Sequence, residues 1–317
     1  MSKVLRIVFM GTPQFAVASL DILNKSNHQV VAVVTAPDKP AGRGKQLSQS
    51  AVKEYALSNN LPLLQPTNLK DVDFIEQLKS LNADLFVVVA FRMLPASVWK
   101  IPAMGTINLH ASLLPQYRGA APINWAIANG EKETGATTFF INEHIDTGDL
   151  IDRDIVSITE EMDAGNLHDL LMERGSALLL RTVNAIATGT VKPISQKSLS
   201  KISELKEAPK ITRDNSRIDW NQPTQKIINL IRGMSPYPGA YTLANNSDNT
   251  LVKIYKASKA DEKLKSGEIS TDGKSKLLIG TADSAILVEE IQIPGKRKMA
   301  MKDLLNGFNP HTLRSFS

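Results

Sequence analysis

The chain has 317 residues, enough for two ordinary domains, since single cores rarely grow beyond roughly 250–300 residues. With 42% hydrophobic and 22% charged residues, no run of about eighteen apolar residues and no signal-like pattern in Met1–Arg6, no membrane span is expected. The lack of cysteine excludes disulfides, thiol nucleophiles and cysteine zinc sites, and suits the reducing cytoplasm.

Arg6–Gly11 (RIVFMG) and Val30–Ala36 (VVAVVTA) are short, β-branched and almost wholly apolar, as parallel strands buried on both faces should be. Between them Phe15, Val17, Ala18, Leu20, Ile22 and Leu23 recur at helical intervals. Leu61–Leu64 predicts a third strand, and Val72–Leu81 a helix with Phe74, Ile75, Leu78 and Leu81 on one stripe. Ala83–Phe91 and Gly105–His110 predict two more strands, Ala136–Asn142 another, and Asn166–Gly189 a long helix. This rhythm predicts an α/β first domain over residues 1–191, a doubly wound and mostly parallel sheet with ligands outside the carboxyl ends of its strands. Residues 192–212 are polar and lysine-rich and read as an exposed linker. Residues 213–317 combine one helix (Thr224–Met234) with short strands at Ala240–Leu243, Leu251–Ala257, Lys276–Ile279 and Ala285–Gln292, which predicts a smaller, mostly β barrel or sandwich.

The net charge of +5 is unevenly spread along these parts. Residues 1–195 hold 17 Lys and Arg against 19 Asp and Glu; residues 196–317 hold 20 against 13. The basic excess of the last third points to a polyanionic partner, although a lysine-rich solvated surface accounts for it as well.

Familiar cofactor motifs are missing. Met10–Phe15 carries one glycine where a dinucleotide fingerprint needs three, and Pro13 removes a backbone donor. Ala41–Gln46 fails as a phosphate-binding loop, because Lys39 stands where the first glycine belongs and Gln46 offers no hydroxyl. The five histidines show no ligand spacing. A trio of His110, His144 and Asp146 is conceivable, but nothing fixes its geometry, and no metal is expected.

What the sequence does carry is concentrated in residues 105–150. Asn108 and His110, two apart on a strand, leave the same face near its carboxyl end. An amide donor beside a group that titrates near neutrality suits a carbonyl whose oxygen becomes negative in a tetrahedral intermediate. The same pair would also arise as buried polar groups satisfied by neighbouring backbone. Ser112–Pro115 then turns the chain out of the strand. A later turn, His144–Asp149, supplies two aspartates, either of which could steady His110 or simply form the turn.

Asn-x-His-x-Ser-Leu-Leu-Pro-x-Tyr-Arg-Gly at 108–119, with His-Ile-Asp-Thr-Gly-Asp at 144–149, resembles the signature of the folate-dependent formyltransferases. FMGTPQFA (9–16), PDKPAGRGK (37–45), RIDWN…PYPGAY (217–241) and PGKRKM (294–299) resemble the branch of that superfamily that formylates methionyl-tRNA, so the likeness spans nearly the whole chain. The resemblance implies 10-formyltetrahydrofolate as co-substrate, initiator methionyl-tRNA as acceptor, a monomer, and an OB-like second domain that helps to hold the tRNA. It implies Asn108, His110 and Asp146 as the catalytic trio, which selects between the aspartates. Ser112, Leu113, Leu114 and Pro115 would line the folate pocket, with Phe91 and Met93 beside them. Here the chain departs from the family: Ala90-Phe91-Arg92-Met93-Leu94-Pro95 stands where relatives often have Ala-Tyr-Gly and a slightly longer apolar run. The tRNA would meet Arg43 and Lys45 in the 38–50 loop, Lys206 in the connection, and Lys296, Arg297 and Lys298. The same chemistry would also serve a formyltransferase acting on a small amine or a hydrolase releasing formate, and a non-catalytic RNA-binding protein on the same fold is a further alternative.

Overall fold

The computed structural model describes residues 3–41, 46–199, 205–245 and 249–317. The chain forms two compact units. The first comprises residues 1–119, 134–156 and 168–207, and the second comprises 120–133, 157–167 and 208–317. Two short segments drawn from the first two-thirds of the sequence thus fold with the C-terminal third.

The first unit is built on a seven-stranded sheet in the order Leu150–Ser157, Glu133–Phe140, Thr106–His110, Leu85–Val89, Arg6–Gly11, Gln29–Val34, Leu63–Leu64. The last five strands pair in parallel, and Glu133–Phe140 joins Thr106–His110 antiparallel. Because side chains alternate along a strand, Val8, Met10, Phe86 and Val88 share one face. There they pack with Phe74, Leu78 and Val98 from the helices Val72–Ser80 and Ala96–Trp99. Ile7, Phe9, Leu85 and Val87 on the opposite face are also fully buried, which is why these strands read as continuous apolar runs. The helix Val72–Ser80 starts where Asp71 accepts a hydrogen bond from the Phe74 N–H at 3.1 Å. The helix Ala51–Ser58 starts in the same way on Ser50.

Three stretches differ from the sequence reading. The 38–50 loop has an antiparallel pair at its base, Lys39–Ala41 with Gln46–Ser48. The strand Leu150–Ser157 carries no clear apolar alternation, because Asp152 and Asp154 stand on the same face as the buried Leu150 and Val156. The connection after the long helix Ala164–Thr188 is structured in part: Leu150 and Ile194 exchange backbone hydrogen bonds of 2.8 Å, and a 3-10 turn follows at Gln196–Leu199. Polar composition made that stretch look exposed, but Gln196 is only 2% accessible.

In the second unit a six-stranded antiparallel sheet runs in the order Ala240–Leu243, Leu251–Ala260, Ala285–Gln292, Leu277–Gly280, Ile269–Thr271, with the short Met299–Ala300 also paired to Ala285–Gln292. Phe316 bridges Ala244 just beyond the first strand, and Ser315 bridges Glu268 just before the last, so residues 315–316 join the two edges of the sheet. Ile231 and Met234 of the helix Thr224–Met234 pack into the resulting core with Ile254, Ile279 and Ile291. The helix Pro122–Ala128 meets that same helix closely: the Asn124 side chain donates to the Gly233 carbonyl at 2.7 Å, and a Cβ on Gly233 would lie 2.8 Å from the Asn124 carbonyl. Among the described residues, no helix is long and apolar enough to cross a membrane.

Candidate active site

Asn108 and His110 lie at the carboxyl end of Thr106–His110. One parallel neighbour sets Asn108 opposite Val88, and the antiparallel neighbour sets Asn108 opposite Phe139 and His110 opposite Thr137. Flanked on both sides by paired strands, the backbone that carries the two side chains is held in place. Asn108 is partly exposed, and among the described residues none hydrogen-bonds its side-chain amide. His110 is 7% exposed, and its Nε2 lies 2.8 Å from the Tyr117 carbonyl. A carbonyl only accepts, so Nε2 carries the proton in this contact. Nδ1 is left facing Asp146 Oδ2 at 3.8 Å, beyond hydrogen-bond reach.

The turn after the strand is held from inside. Ser112 is fully buried; its hydroxyl donates to the Gln116 carbonyl at 2.7 Å, and its own carbonyl accepts from the Thr137 hydroxyl at 2.6 Å. Leu114 is fully buried against Phe139 and Leu150, and Pro115 is buried as well. Of the four residues expected to line a folate pocket, Leu113 alone keeps a partly exposed side chain, so the rest of the turn can offer a ligand mainly its backbone. Tyr117 has a left-handed backbone with a φ of 59°, its carbonyl accepts from His110, and its N–H donates to the Lys206 carbonyl at 2.6 Å.

Asp146 arrives from the far end of Glu133–Phe140. Its carboxylate accepts from the Gly119 N–H at 2.9 Å. Asp149, the other candidate, is exposed. The turn is closed by Thr147, whose hydroxyl donates to Asn142 Oδ1, and by Gly148, where a Cβ would fall 1.6 Å from the Phe140 carbonyl oxygen. Gly148→Ala is therefore expected to lower stability by about 3 kcal/mol, the upper end of ordinary overpacking costs. Thermal unfolding measures it, and an unchanged midpoint would mean that the turn opens freely.

The remaining expected residues are spread along the chain. Phe91 is half-buried on the first unit's core, and Met93 is 71% exposed. Met93 borders a cleft of about 720 Å³ formed by residues 67–70 and 92–97, in which the Arg92 guanidinium donates to the carbonyls of Thr67 and Pro66. Asn108, His110 and Asp146 do not line it. Arg43 and Lys45 lie outside the described residues. Lys206 is tied by its backbone to Gln116 and to Tyr117, the residue whose carbonyl meets His110. Lys296, Arg297 and Lys298 are exposed in the turn between Ala285–Gln292 and Met299–Ala300. Lys298 is paired with Glu290 at 2.6 Å and stands over the Tyr255 ring at 5.3 Å. Among the described residues, no group of three or more His, Cys, Asp or Glu side chains is gathered as a metal site would be. Sequence reasoning missed the Tyr117 carbonyl, the Gly119 N–H and Gln196, all of which act through backbone geometry or come from a distant segment.

A strand end with a buried His, an amide two residues before it that no described residue engages, and a carboxylate opposite is an arrangement suited to a carbonyl group in transfer. The Formyl transferase family matches residues 5–183, and the family described as Formyl transferase, C-terminal domain, matches residues 210–309.

The chain belongs to the formyl transferases.

Over 308 residues it is 49% identical to a methionyl-tRNA formyltransferase of Bacteroides thetaiotaomicron, covering 96% of each chain. The methionyl-tRNA formyltransferase of Azobacteroides pseudotrichonymphae is 53% identical over 310 residues, covering 95% of each. Among solved structures, an N-formyltransferase from Helicobacter canadensis, in complex with folinic acid and dTDP-3-aminofucose, matches with a TM-score of 0.67 at 22% identity, over 90% of this chain and 99% of that one. HypX from Aquifex aeolicus, in complex with tetrahydrofolic acid, matches with a TM-score of 0.63 at 20% identity; 98% of this chain spans 48% of that protein. At such identities the likeness establishes the formyltransferase fold.

Proposed function

We propose that this enzyme transfers the formyl group of 10-formyltetrahydrofolate to the amino group of methionyl initiator tRNA, as a cytoplasmic monomer serving translation initiation. The observation that carries the reading is similarity of about half of all positions to methionyl-tRNA formyltransferases over 95–96% of the chain, through both units. A likeness confined to the sheet and its trio would fit a formyltransferase of any amine.

In the proposed reaction the α-amine of the charged tRNA attacks the formyl carbon directly. Such amines have a pKa of about 7.7–8.0, so a useful fraction is neutral near physiological pH. The carbonyl π pair moves onto oxygen. Collapse of the tetrahedral intermediate breaks the bond to the folate nitrogen, which gains a proton as the amine loses one. Asn108 donates to the developing oxyanion. His110, with Nε2 committed to Tyr117, works through Nδ1, the nitrogen that faces Asp146. Asp146 steadies that nitrogen in its protonated form and so helps the proton across. An oxyanion donor is worth roughly 3–4 kcal/mol.

The 38–50 loop with Arg43 and Lys45, the connection at Lys206, and the turn with Lys296, Arg297 and Lys298 are proposed to meet tRNA phosphates. Replacing Lys296, Arg297 and Lys298 together by Ala is expected to raise KM for charged tRNA. It should also flatten the salt dependence by ~0.9 logarithmic units for each phosphate that is no longer neutralised. Lys298 is already neutralised by Glu290, so most of that change should come from the other two. Steady-state kinetics at several salt concentrations measure it; unaltered tRNA kinetics with altered folate kinetics would put this turn on the wrong substrate.

The reading as a whole is tested by mixing the protein with formylated tetrahydrofolate and charged initiator tRNA. Formylated tRNA is expected. Free formate without tRNA product, or tRNA binding without turnover, would overturn it.

A further inference from the structure

Gln196 comes from the polar connection after the long helix, yet it is 2% exposed. Its Nε2 donates to the Asp146 carbonyl at 3.0 Å and to the Gly148 carbonyl at 2.8 Å. Its Oε1 accepts from Nε and Nη2 of Arg118 at 3.2 and 2.6 Å. Two donors and two lone pairs are all the side-chain amide possesses, so its capacity is used in full. The orientation is fixed too, since a flipped amide would set oxygen against two carbonyls and NH2 against a guanidinium. The backbone that presents it is anchored two residues earlier by the Leu150–Ile194 bridge.

These hydrogen bonds join two segments that meet at the site. Arg118 directly precedes Gly119, whose N–H holds the Asp146 carboxylate. Asp146 itself has a φ of +53°, a left-handed conformation that costs a non-glycine residue roughly 1–3 kcal/mol and persists where its surroundings enforce it. Gln196 supplies that enforcement on the carbonyl side and Gly119 on the carboxylate side.

We infer that Gln196 is a positioning residue for formyl transfer, whose side-chain amide locks the Asp146–Gly148 turn to Arg118 and so sets the Asp146 carboxylate against His110. The inference rests on the assignment of Asp146 to the reaction made above. Being buried, Gln196 acts through Asp146 and does not touch substrate. A glutamate in its place keeps the shape and still accepts from Arg118, but has no donor for the two carbonyls, so it releases the turn while leaving the Arg118 interaction in place.

The test compares Gln196→Glu, Asp146→Asn and the double variant of the full chain, in steady-state formylation of charged tRNA with thermal unfolding alongside. Displacement of a reacting group by about 1 Å can cost about a hundredfold. Gln196→Glu is therefore expected to lower kcat by about ten- to a hundredfold while KM for either substrate moves less than about twofold. Residues that act as one unit are not additive, so the double variant should be scarcely slower than Asp146→Asn alone. A normal kcat for Gln196→Glu beside an impaired Asp146→Asn would overturn the positioning role and leave Asp146 in the mechanism. Effects that multiply in the double variant would overturn it as well. A normal kcat for Asp146→Asn would remove Asp146 from the reaction, and the inference with it. Should Gln196→Glu not fold, Gln196→Met, neutral and of similar length, enters the same cycle with the same expectations.

Discussion

Replacing His110 with Ala is expected to reduce kcat by about 100- to 10,000-fold, the range for losing a positioned acid or base. The ring is the single titratable group on the strand end, and its two nitrogens are given different tasks by their neighbours. Nε2 is spent on the Tyr117 carbonyl, which fixes the ring plane. Nδ1 is thereby presented to the gap in front of Asp146. The substitution removes the hydrogen bond that His110 donates to the Tyr117 carbonyl, worth about 0.5–1.5 kcal/mol. Stability should therefore fall modestly while chemistry nearly stops. Folate affinity should hold, because the buried turn at Ser112–Pro115 is braced by Thr137 rather than by the ring. Single-turnover formylation, equilibrium binding of tetrahydrofolate and thermal unfolding separate these effects. A variant with turnover within about tenfold of the parent would take the ring out of the chemistry.

How much of this was legible beforehand depended on how local each feature is. Arg6–Gly11, Thr224–Met234, Ala240–Leu243 and Ala285–Gln292 have the bounds that their apolar periodicity predicts, since side-chain alternation and helical stripes are properties of short windows. Asn108 and His110 were legible as a pair because a strand sends residues two apart to one face. The fold-back of 120–133 and 157–167 into the second unit was not legible. Their partners lie far along the chain, 109 residues away for Asn124 and Gly233 and 70 for Met162 and Arg232. Gln196 was hidden for a related reason. A glutamine among lysines and serines reads as solvated surface, and only tertiary closure shows that its amide matches two carbonyls and a guanidinium. The Tyr117 interaction with His110 is made by a carbonyl, which every residue has and no side-chain pattern marks.

Asp146→Asn is expected to slow kcat by about a hundredfold, near the low end for groups that assist proton transfer, while Asp149→Asn stays close to the parent. The sequence offers the two aspartates on equal terms, three residues apart in one turn. The backbone separates them. The left-handed Asp146 turns its carboxylate inward to Gly119 and His110, with 12% of the side chain exposed, while Asp149 stays at the surface. Asparagine keeps an oxygen for the Gly119 N–H, and among non-glycine residues it too tolerates the left-handed region. The turn should therefore survive, and the change should fall on charge alone. What is lost is the negative partner for a protonated Nδ1 at the moment the amine sheds its proton. KM for the formyl donor and for tRNA should accordingly stay within about threefold, as expected for an interaction made mainly in the transition state. Kinetics with each substrate varied in turn, on both variants, decide the matter. If Asp149→Asn is the enzyme that fails and Asp146→Asn is the one that works, the carboxylate facing His110 is not the one that serves the reaction.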